Sequence, residues 1–266
     1  MKGKVTFVIG LLGFTACLFL GANEPGNTTF KISLGLVLAA FIDFTVFIIE
    51  HRKKWGVLKT LFIKRNQPVR VTVAYLFRIE VNGRYVLIKR HKKDNPGFQP
   101  VGGCYKYLRE ENRELFDQLG IEPCNKVPRD EDTDNDLRII INKRKNLAKF
   151  LKWFKSRKNR ELDPYREFYE ELVEPGYLPA AIFPYIKYVF LEPHIEGVLK
   201  SPVYPLDELR YADIYELRPE TDAQKEAIRL LEEMTGIILF ATPDEINKRA
   251  SNGNVILPHT FKILPQ

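Results

Sequence analysis

The chain has 266 residues, 45% of them hydrophobic and 28% charged, with a formal charge of +7 and three cysteines. These are globular values that exclude a disordered chain, and the length accommodates a membrane segment with one fair-sized domain, or two small domains. Cys17, Cys104 and Cys124 lie apart without CxxC or Cys/His spacing, which excludes a disulfide framework and gives no zinc signature.

Two apolar runs open the chain. Val5 to Ala22 contains no charged residue, and Ile32 to Ile49 is apolar except for Asp43 and a few small or hydroxyl residues. Each has 18 residues, which as helix cover about 27 Å against a hydrocarbon core of ~30 Å. The connection carries Pro25-Gly26 and reads as a tight turn. Residues 1–50 are therefore expected to form a two-helix transmembrane hairpin, with spans about 5–22 and 32–49. Lys2 and Lys4 precede the first run and His51-Arg52-Lys53-Lys54 follows the second. The positive-inside rule then places both termini in the cytoplasm. A cleaved signal ending near Phe14-Thr15-Ala16-Cys17 is the alternative, but the residues after Cys17 stay apolar and a second run follows at once. Asp43 costs about 2.5–3.5 kcal/mol within a span, so it is either a polar seam of an oligomer or a tolerated acid near the membrane surface.

Residues 51–66 read as a basic juxtamembrane connector, and 67–266 as one soluble α/β (α+β) domain with a mixed sheet. Val69 to Ile79 alternates as a strand, Asn82-Gly83 signals a hairpin, and Tyr85 to Lys89 returns. Phe98-Gln99 ends in the glycine turn Pro100-Val101-Gly102-Gly103. Glu110 to Leu119 is a helix stopped by Gly120, and Leu137 to Ile141 a strand. Asn142 to Arg160 holds nine basic residues and no acid, with Leu147, Phe150, Leu151 and Phe154 at helical spacing. Such a basic amphipathic helix either meets anionic lipid or a nucleotide, or docks by its apolar stripe with its cations in solvent; the stripe favours docking. Asp163-Pro164 starts the next helix and Pro175-Gly176 ends it. Tyr185 to Leu191 is a strand, and Thr221/Gln224 and Thr242/Glu245 are capping boxes for the last two helices.

The helix after Asp163 carries Arg166-Glu167-Phe168-Tyr169-Glu170-Glu171-Leu172. Glu167, Glu170 and Glu171 fall at i, i+3 and i+4 and share one helical face. Clustered carboxylates held toward a glycine turn suit magnesium and a phosphate-bearing ligand; taken alone, the heptad also reads as a solvated acidic face. A strand hairpin, a Pro-x-Gly-Gly turn and Arg-Glu-apolar-x-Glu-Glu on a helix resemble the Nudix hydrolase box. In that family the pattern runs Gly, five residues, Glu, seven residues, Arg-Glu-apolar-x-Glu-Glu-x-Gly-apolar. This chain departs from it in three ways. Gly103 and Arg166 are 63 positions apart, which implies an insertion at about 104–162. Arg109 stands where the pattern has glutamate, and Val173 where it has glycine. A rival segment, Arg113 to Ile121, keeps the tail glycine but has Asp117-Gln118 for the paired glutamates; residues 166–171 are preferred because metal needs carboxylates.

Two spans before an insertion-split Nudix domain resemble the membrane-anchored Nudix effectors of bacterial cyclic-oligonucleotide anti-phage signalling (CBASS). The resemblance implies an inner-membrane protein, a homo-oligomer when active, whose Nudix-like domain binds a cyclic di- or oligonucleotide. The hairpins would then disrupt the membrane lipid; no DNA or RNA polymer is expected as partner. On position, phosphate would meet the amides of Gly102 and Gly103, Lys106 and Arg166, and bases would stack on Tyr105 or Phe98. The alternative is an anchored hydrolase of nucleoside diphosphate derivatives, with magnesium on Glu167, Glu170 and Glu171 and with Glu170 and Glu171 as its catalytic pair. A non-enzymatic scaffold is the third reading. The altered box favours ligand sensing over hydrolysis.

Overall fold

A computed structural model describes residues 64–90, 96–124, 133, 135–201 and 204–265. All belong to the second of two units into which the chain divides, Thr60–Gln266. The expected spans at 5–22 and 32–49, Asp43 and residues 51–63 of the connector lie outside the described residues. Among the described residues, no helix is long and apolar enough to cross a membrane.

The fold is organised around strand β1 (Val69–Arg78), whose alternate residues Val69, Val71, Val73, Tyr75 and Phe77 are all fully buried. Its β-branched and aromatic residues suit a pleated strand covered on one face by core. Along its whole length β1 pairs in parallel with β8 (Asp207–Leu217), from Val69 opposite Asp207 to Arg78 opposite Glu216. On the far side of β8 lies β7 (Tyr188–Lys200), antiparallel and interrupted by two bulges. On the other side of β1, its first four residues pair with β6 (Arg138–Ile141), which in turn pairs with β5 (Ile121–Pro123). The result is a mixed five-stranded sheet ordered β5-β6-β1-β8-β7. A second sheet is built on β3 (Arg84–Lys89), flanked by β9 (Ile238–Ala241) and by the short strands β2 (Glu80–Val81) and β4 (Phe98–Gln99). The β2–β3 turn is Asn82-Gly83, both at positive φ (52° and 75°), the mirror-image turn whose twist matches a hairpin.

The second half of β1 has no named strand on its β6 side. The chain from Val101 to Tyr105 fills that edge instead. Tyr75 N–H donates to the Gly103 carbonyl at 2.9 Å, Phe77 N–H to Val101 at 2.8 Å, and Tyr105 N–H to the Val73 carbonyl at 3.1 Å. The glycine turn is thereby fixed to the central strand.

Helix α1 (Arg109–Leu119) ends at Gly120 in the left-handed conformation, as its sequence position suggests. The basic segment after β6 forms a short 3-10 turn (Arg144–Asn146) and then α2 (Leu147–Lys155), shorter than the expected helix. Leu147, Phe150 and Phe154 are fully buried, and the Phe154 ring lies 5.3 Å from both Tyr105 and Tyr211. Lys149, Lys152 and Lys155 are exposed. The stripe docks and the cations face solvent. Near the C-terminus, α4 (Asp222–Leu230) is capped by Thr221, and α5 (Pro243–Lys248) carries a complete Thr242/Glu245 capping box. Two further expectations change. The strand expected at 185–191 runs from Tyr188 to Lys200, and β8, the central partner of β1, was not anticipated.

If α2 is held by its apolar stripe, Phe154→Ala should lower the free energy of unfolding by about 3–5 kcal/mol. Lys152→Ala on the exposed face should change it by less than about 0.5 kcal/mol. Urea unfolding followed by circular dichroism distinguishes the two; equal effects would mean that the stripe is not what anchors the helix.

Candidate functional site

The site forms where helix α3 (Tyr165–Phe168) meets the glycine turn. Asp163 starts this helix by accepting from Tyr165 N–H at 2.9 Å. After one α-turn the chain widens into a π-turn, Tyr169–Val173, in which Glu174 N–H donates to the Tyr169 carbonyl five residues back at 2.8 Å. Phe168 at the end of α3 and Leu172 and Val173 on the wider turn are all buried. The expected single carboxylate face is therefore split. Glu167 and Glu171 turn toward the glycines, while Glu170 remains at the exposed rim.

The contact leaves no room for a side chain at Gly102, and at Gly103 a side chain would have to displace the Glu167 carboxylate. A Cβ on Gly102, whose φ is +138°, would sit 2.3 Å from the Tyr75 carbonyl oxygen. One on Gly103 would lie 2.0 Å from Glu167 Oε1. Gly102 N–H donates to Glu171 Oε2 at 2.9 Å, joining residues 69 positions apart. Residues 166–171 thus meet the glycine turn. The rival segment does not: Arg113, Glu114, Asp117 and Gln118 lie exposed on α1, with Gln118 hydrogen-bonded to Glu114.

Arg166 is the hub. Its Nε donates to Glu161 Oε1 at 2.8 Å, and Nη1 donates to Glu167 at 2.8 Å and to Glu170 at 2.9 Å. Nη2 donates to the Cys104 carbonyl at 3.0 Å. The guanidinium fork is occupied by protein acceptors. Glu161 was not anticipated from the sequence. It also accepts from the backbone N–H of Lys106 at 3.1 Å and lies 3.4 Å from the Tyr75 hydroxyl. Arg109 occupies the pattern's glutamate position, and the carboxylate that reaches Arg166 comes from Glu161, which stands at no box spacing. Asp136 joins the cluster through Arg138, 3.5 Å away, and through the charge of Lys106.

Burial raises these acids. Desolvation pushes Glu171 up to about 8, aided by repulsion from Glu167 and Glu170 and opposed by the Gly102 N–H. Glu167 is raised chiefly by burial, against the pull of Arg166. Asp136 rises to about 6, again from burial.

The expected ligand contacts fare differently. Tyr105 is a core residue: its ring is 1% exposed, its hydroxyl donates to Asp213 at 2.7 Å, and Arg160 lies over its face. Phe98 is likewise buried. Neither ring offers a base a stacking surface, because both sit on strand segments whose inward side packs the core. The Gly102 amide is already engaged by Glu171, and the Arg166 fork is engaged by glutamates. Lys106 lies beside this cluster, its charge felt by Asp136.

A family model described as the SMODS-associated NUDIX domain matches residues 68–264. The chain belongs to this family. Neither a search of curated proteins nor one of solved structures gave a match. Nudix domains generally use a divalent metal such as magnesium, and Glu167, Glu170 and Glu171 were the expected ligands. Among the described residues, however, no group of three or more His, Cys, Asp or Glu is arranged to hold a metal ion. In this Nudix domain Arg166 takes up Glu167 and Glu170, and Glu171 turns to Gly102. The carboxylates as arranged do not fit a magnesium site.

The raised Glu171 has a signed consequence. Its carboxyl holds a proton in the folded state up to about pH 8, whereas the unfolded chain releases it near pH 4.5. Its contribution to stability is therefore full below about 4.5 and is lost as pH rises toward 8. Glu171→Gln, which keeps an acceptor for Gly102 N–H, should remove that loss, on the order of a few kcal/mol across the window. Denaturant unfolding of both proteins at pH 5 and pH 8.5 checks it, and parallel pH profiles would contradict the assignment.

Proposed function

We propose that this chain is the effector of a bacterial anti-phage system signalled by a cyclic nucleotide. In this reading the Nudix domain senses the nucleotide and the N-terminal apolar runs act on the inner membrane. Membership of the SMODS-associated Nudix family carries the proposal. The altered box supports sensing over hydrolysis, since Arg109 and Val173 stand in place of its glutamate and its tail glycine, whereas the pairing of Arg166 with Glu167 and Glu170 is compatible with either reading. A ligand that binds one assembly state better than another shifts the chain toward that state, and no bond need be broken. Exposed Val189, Phe190 and Leu199 on the edge strand β7 support assembly of copies in the active state, because such an edge favours association. The 18-residue apolar runs and their basic flanks support the membrane location, with both termini cytoplasmic.

A second reading, an anchored Nudix hydrolase, draws on one observation: Glu167 and Glu171 both converge on the glycine turn, as the box requires. One experiment separates the two. The full chain is reconstituted in dye-loaded vesicles with magnesium and supplied in turn with cyclic di- and trinucleotides and with nucleoside diphosphate derivatives, and the nucleotides are recovered for product analysis. The effector reading expects leakage that depends on one of these nucleotides, which is recovered intact. Absence of leakage with every nucleotide would overturn it. Cleavage of nucleoside diphosphate derivatives that Glu171→Gln abolishes would establish the hydrolase instead.

A further inference from the structure

A second cluster of charged groups lies at the far end of β1 from the glycine turn. There β1 and β8 begin side by side and β7 ends beside them, with Val69 and Lys200 both opposite Asp207. The 3-10 turn before α2 closes over this end: Arg144 N–H donates to the Gln67 carbonyl and Lys145 N–H to that of Arg65, both at 3.0 Å. The cleft left there, open to solvent on one side, has a volume of about 370 Å³, and its lining includes Lys64, Gln67, Arg144, Lys200, Tyr204 and Asp207. Tyr75, beside the glycine turn, lies six residue steps along β1 from Val69, or ~20 Å at about 3.3 Å per residue.

The cavity's charge is incompletely matched. Arg144 Nη2 donates to Asp207 Oδ2 at 2.7 Å, but the same oxygen also accepts from Lys64 Nζ at 2.8 Å. The Arg144 side chain is 1% exposed, and its Nε and Nη1, which lie just behind the cavity surface and out of reach of solvent, have no hydrogen-bond partner, so a small opening of the covering turn brings them to a bound anion. A buried guanidinium ordinarily completes its fork with anionic oxygens, because an unpaired buried donor carries its full desolvation cost. The neighbouring carboxylate cannot serve, since Glu208 is held by Arg70 and Arg210. Lys200 adds a third cation at an exposed position. Three cations against one carboxylate leave room for an anion of about two charges with several oxygens.

We propose that this cavity is an anion site that takes a phosphate group of a nucleotide, with Arg144 as the buried anchor and Lys64 and Lys200 supplying further charge. Its volume lies in the range of small-ligand pockets and suits a group about the size of a mononucleotide. The proposal rests on the sensing reading above and relocates its ligand. At the glycine turn five carboxyl groups (Asp136, Glu161, Glu167, Glu170 and Glu171) surround Lys106, Arg138 and Arg166; with Glu171 protonated below about pH 8 the other four still outnumber the three cations, which disfavours phosphate. Here the excess is cationic. Lys64 and Gln67 also belong to the segment through which the chain continues toward residues 1–59.

The test uses the full chain in detergent, titrated calorimetrically with pyrophosphate, ATP and cyclic di-AMP, and separately with phosphatidylglycerol vesicles. Lys200→Glu changes an exposed residue and leaves the core untouched; Arg144→Gln removes the anchor and is checked for folding by its melting curve. Saturable nucleotide binding that weakens roughly tenfold or more in Lys200→Glu, and also in folded Arg144→Gln, supports the site. Binding unchanged in Lys200→Glu overturns it. Nucleotide binding lost in Glu171→Gln but kept in both cavity variants overturns the cavity while leaving the sensing reading intact, whereas absence of binding by any nucleotide defeats both. Capture of the vesicles without binding of ATP, cyclic di-AMP or pyrophosphate overturns the nucleotide assignment in favour of a lipid headgroup.

Discussion

The close approach of the α3 carboxylates to Gly102 and Gly103 is the constraint around which this domain is arranged. Glu167 lies where a Cβ on Gly103 would have to be, and Glu171 accepts from the Gly102 amide across 69 positions of sequence. Closing so long a loop has an entropic cost that one hydrogen bond cannot offset. The intervening chain offsets it by folding into the core. It supplies β6 and β5 to the main sheet, edges the second half of β1 with Val101 to Tyr105, and buries the stripe of α2. The insertion between the two parts of the box is thus structural. Removing it would strip strands from the central sheet.

That constraint also sets the electrostatics of the box. Glu171 is drawn beside Gly102, where loss of solvent raises its pKa to about 8. Arg166, itself half-buried, must satisfy its fork locally, and it does so with Glu161, Glu167, Glu170 and the Cys104 carbonyl. Arg166 takes one oxygen from each of Glu167 and Glu170, and each donor it spends is one fewer for a phosphate. The box is mutually satisfied, which favours a role in holding the fold.

Much of this was legible in the sequence because the signals were local. The alternation of β1, the Asn82-Gly83 hairpin, the Gly120 stop and the Thr242/Glu245 capping box depend on neighbours a few residues away, and each stands where expected. Strand β8 escaped because Asp207, Glu208, Arg210, Asp213 and Glu216 break its apolar pattern. Those groups are accommodated by partners remote in sequence: Glu208 by Arg70, and Asp213 by Tyr105. The same remoteness misplaced Tyr105, which by position beside the glycine turn looked free to stack on a base. Glu161 carried no motif spacing and is tied to the site only in three dimensions. The π-turn was hidden because its cause is the joint burial of Phe168, Leu172 and Val173, a tertiary demand that a helical wheel does not register.

The two ends of β1 therefore carry opposite characters. At the glycine turn the acids outnumber the cations and the donors are spent; at the Arg144 cavity cations outnumber acids and donors remain. A phosphate-bearing ligand distinguishes such ends by Coulomb energy alone, and more sharply where water is partly excluded. Asp207 is the pivot of the cationic end, since it binds Lys64 from the incoming chain and Arg144 from the turn before α2 while opening strand β8. Burial alone would raise its carboxyl, yet the hydrogen bond from Lys64, joined by that from Arg144, holds it below the usual range. An anion entering there would compete with Asp207 for both cations and so loosen or redirect the segment at Lys64. The proposed sensing role calls for that property: a ligand site whose own ion pairs include the chain leading out of the domain, so that ligand binding and those ion pairs are coupled.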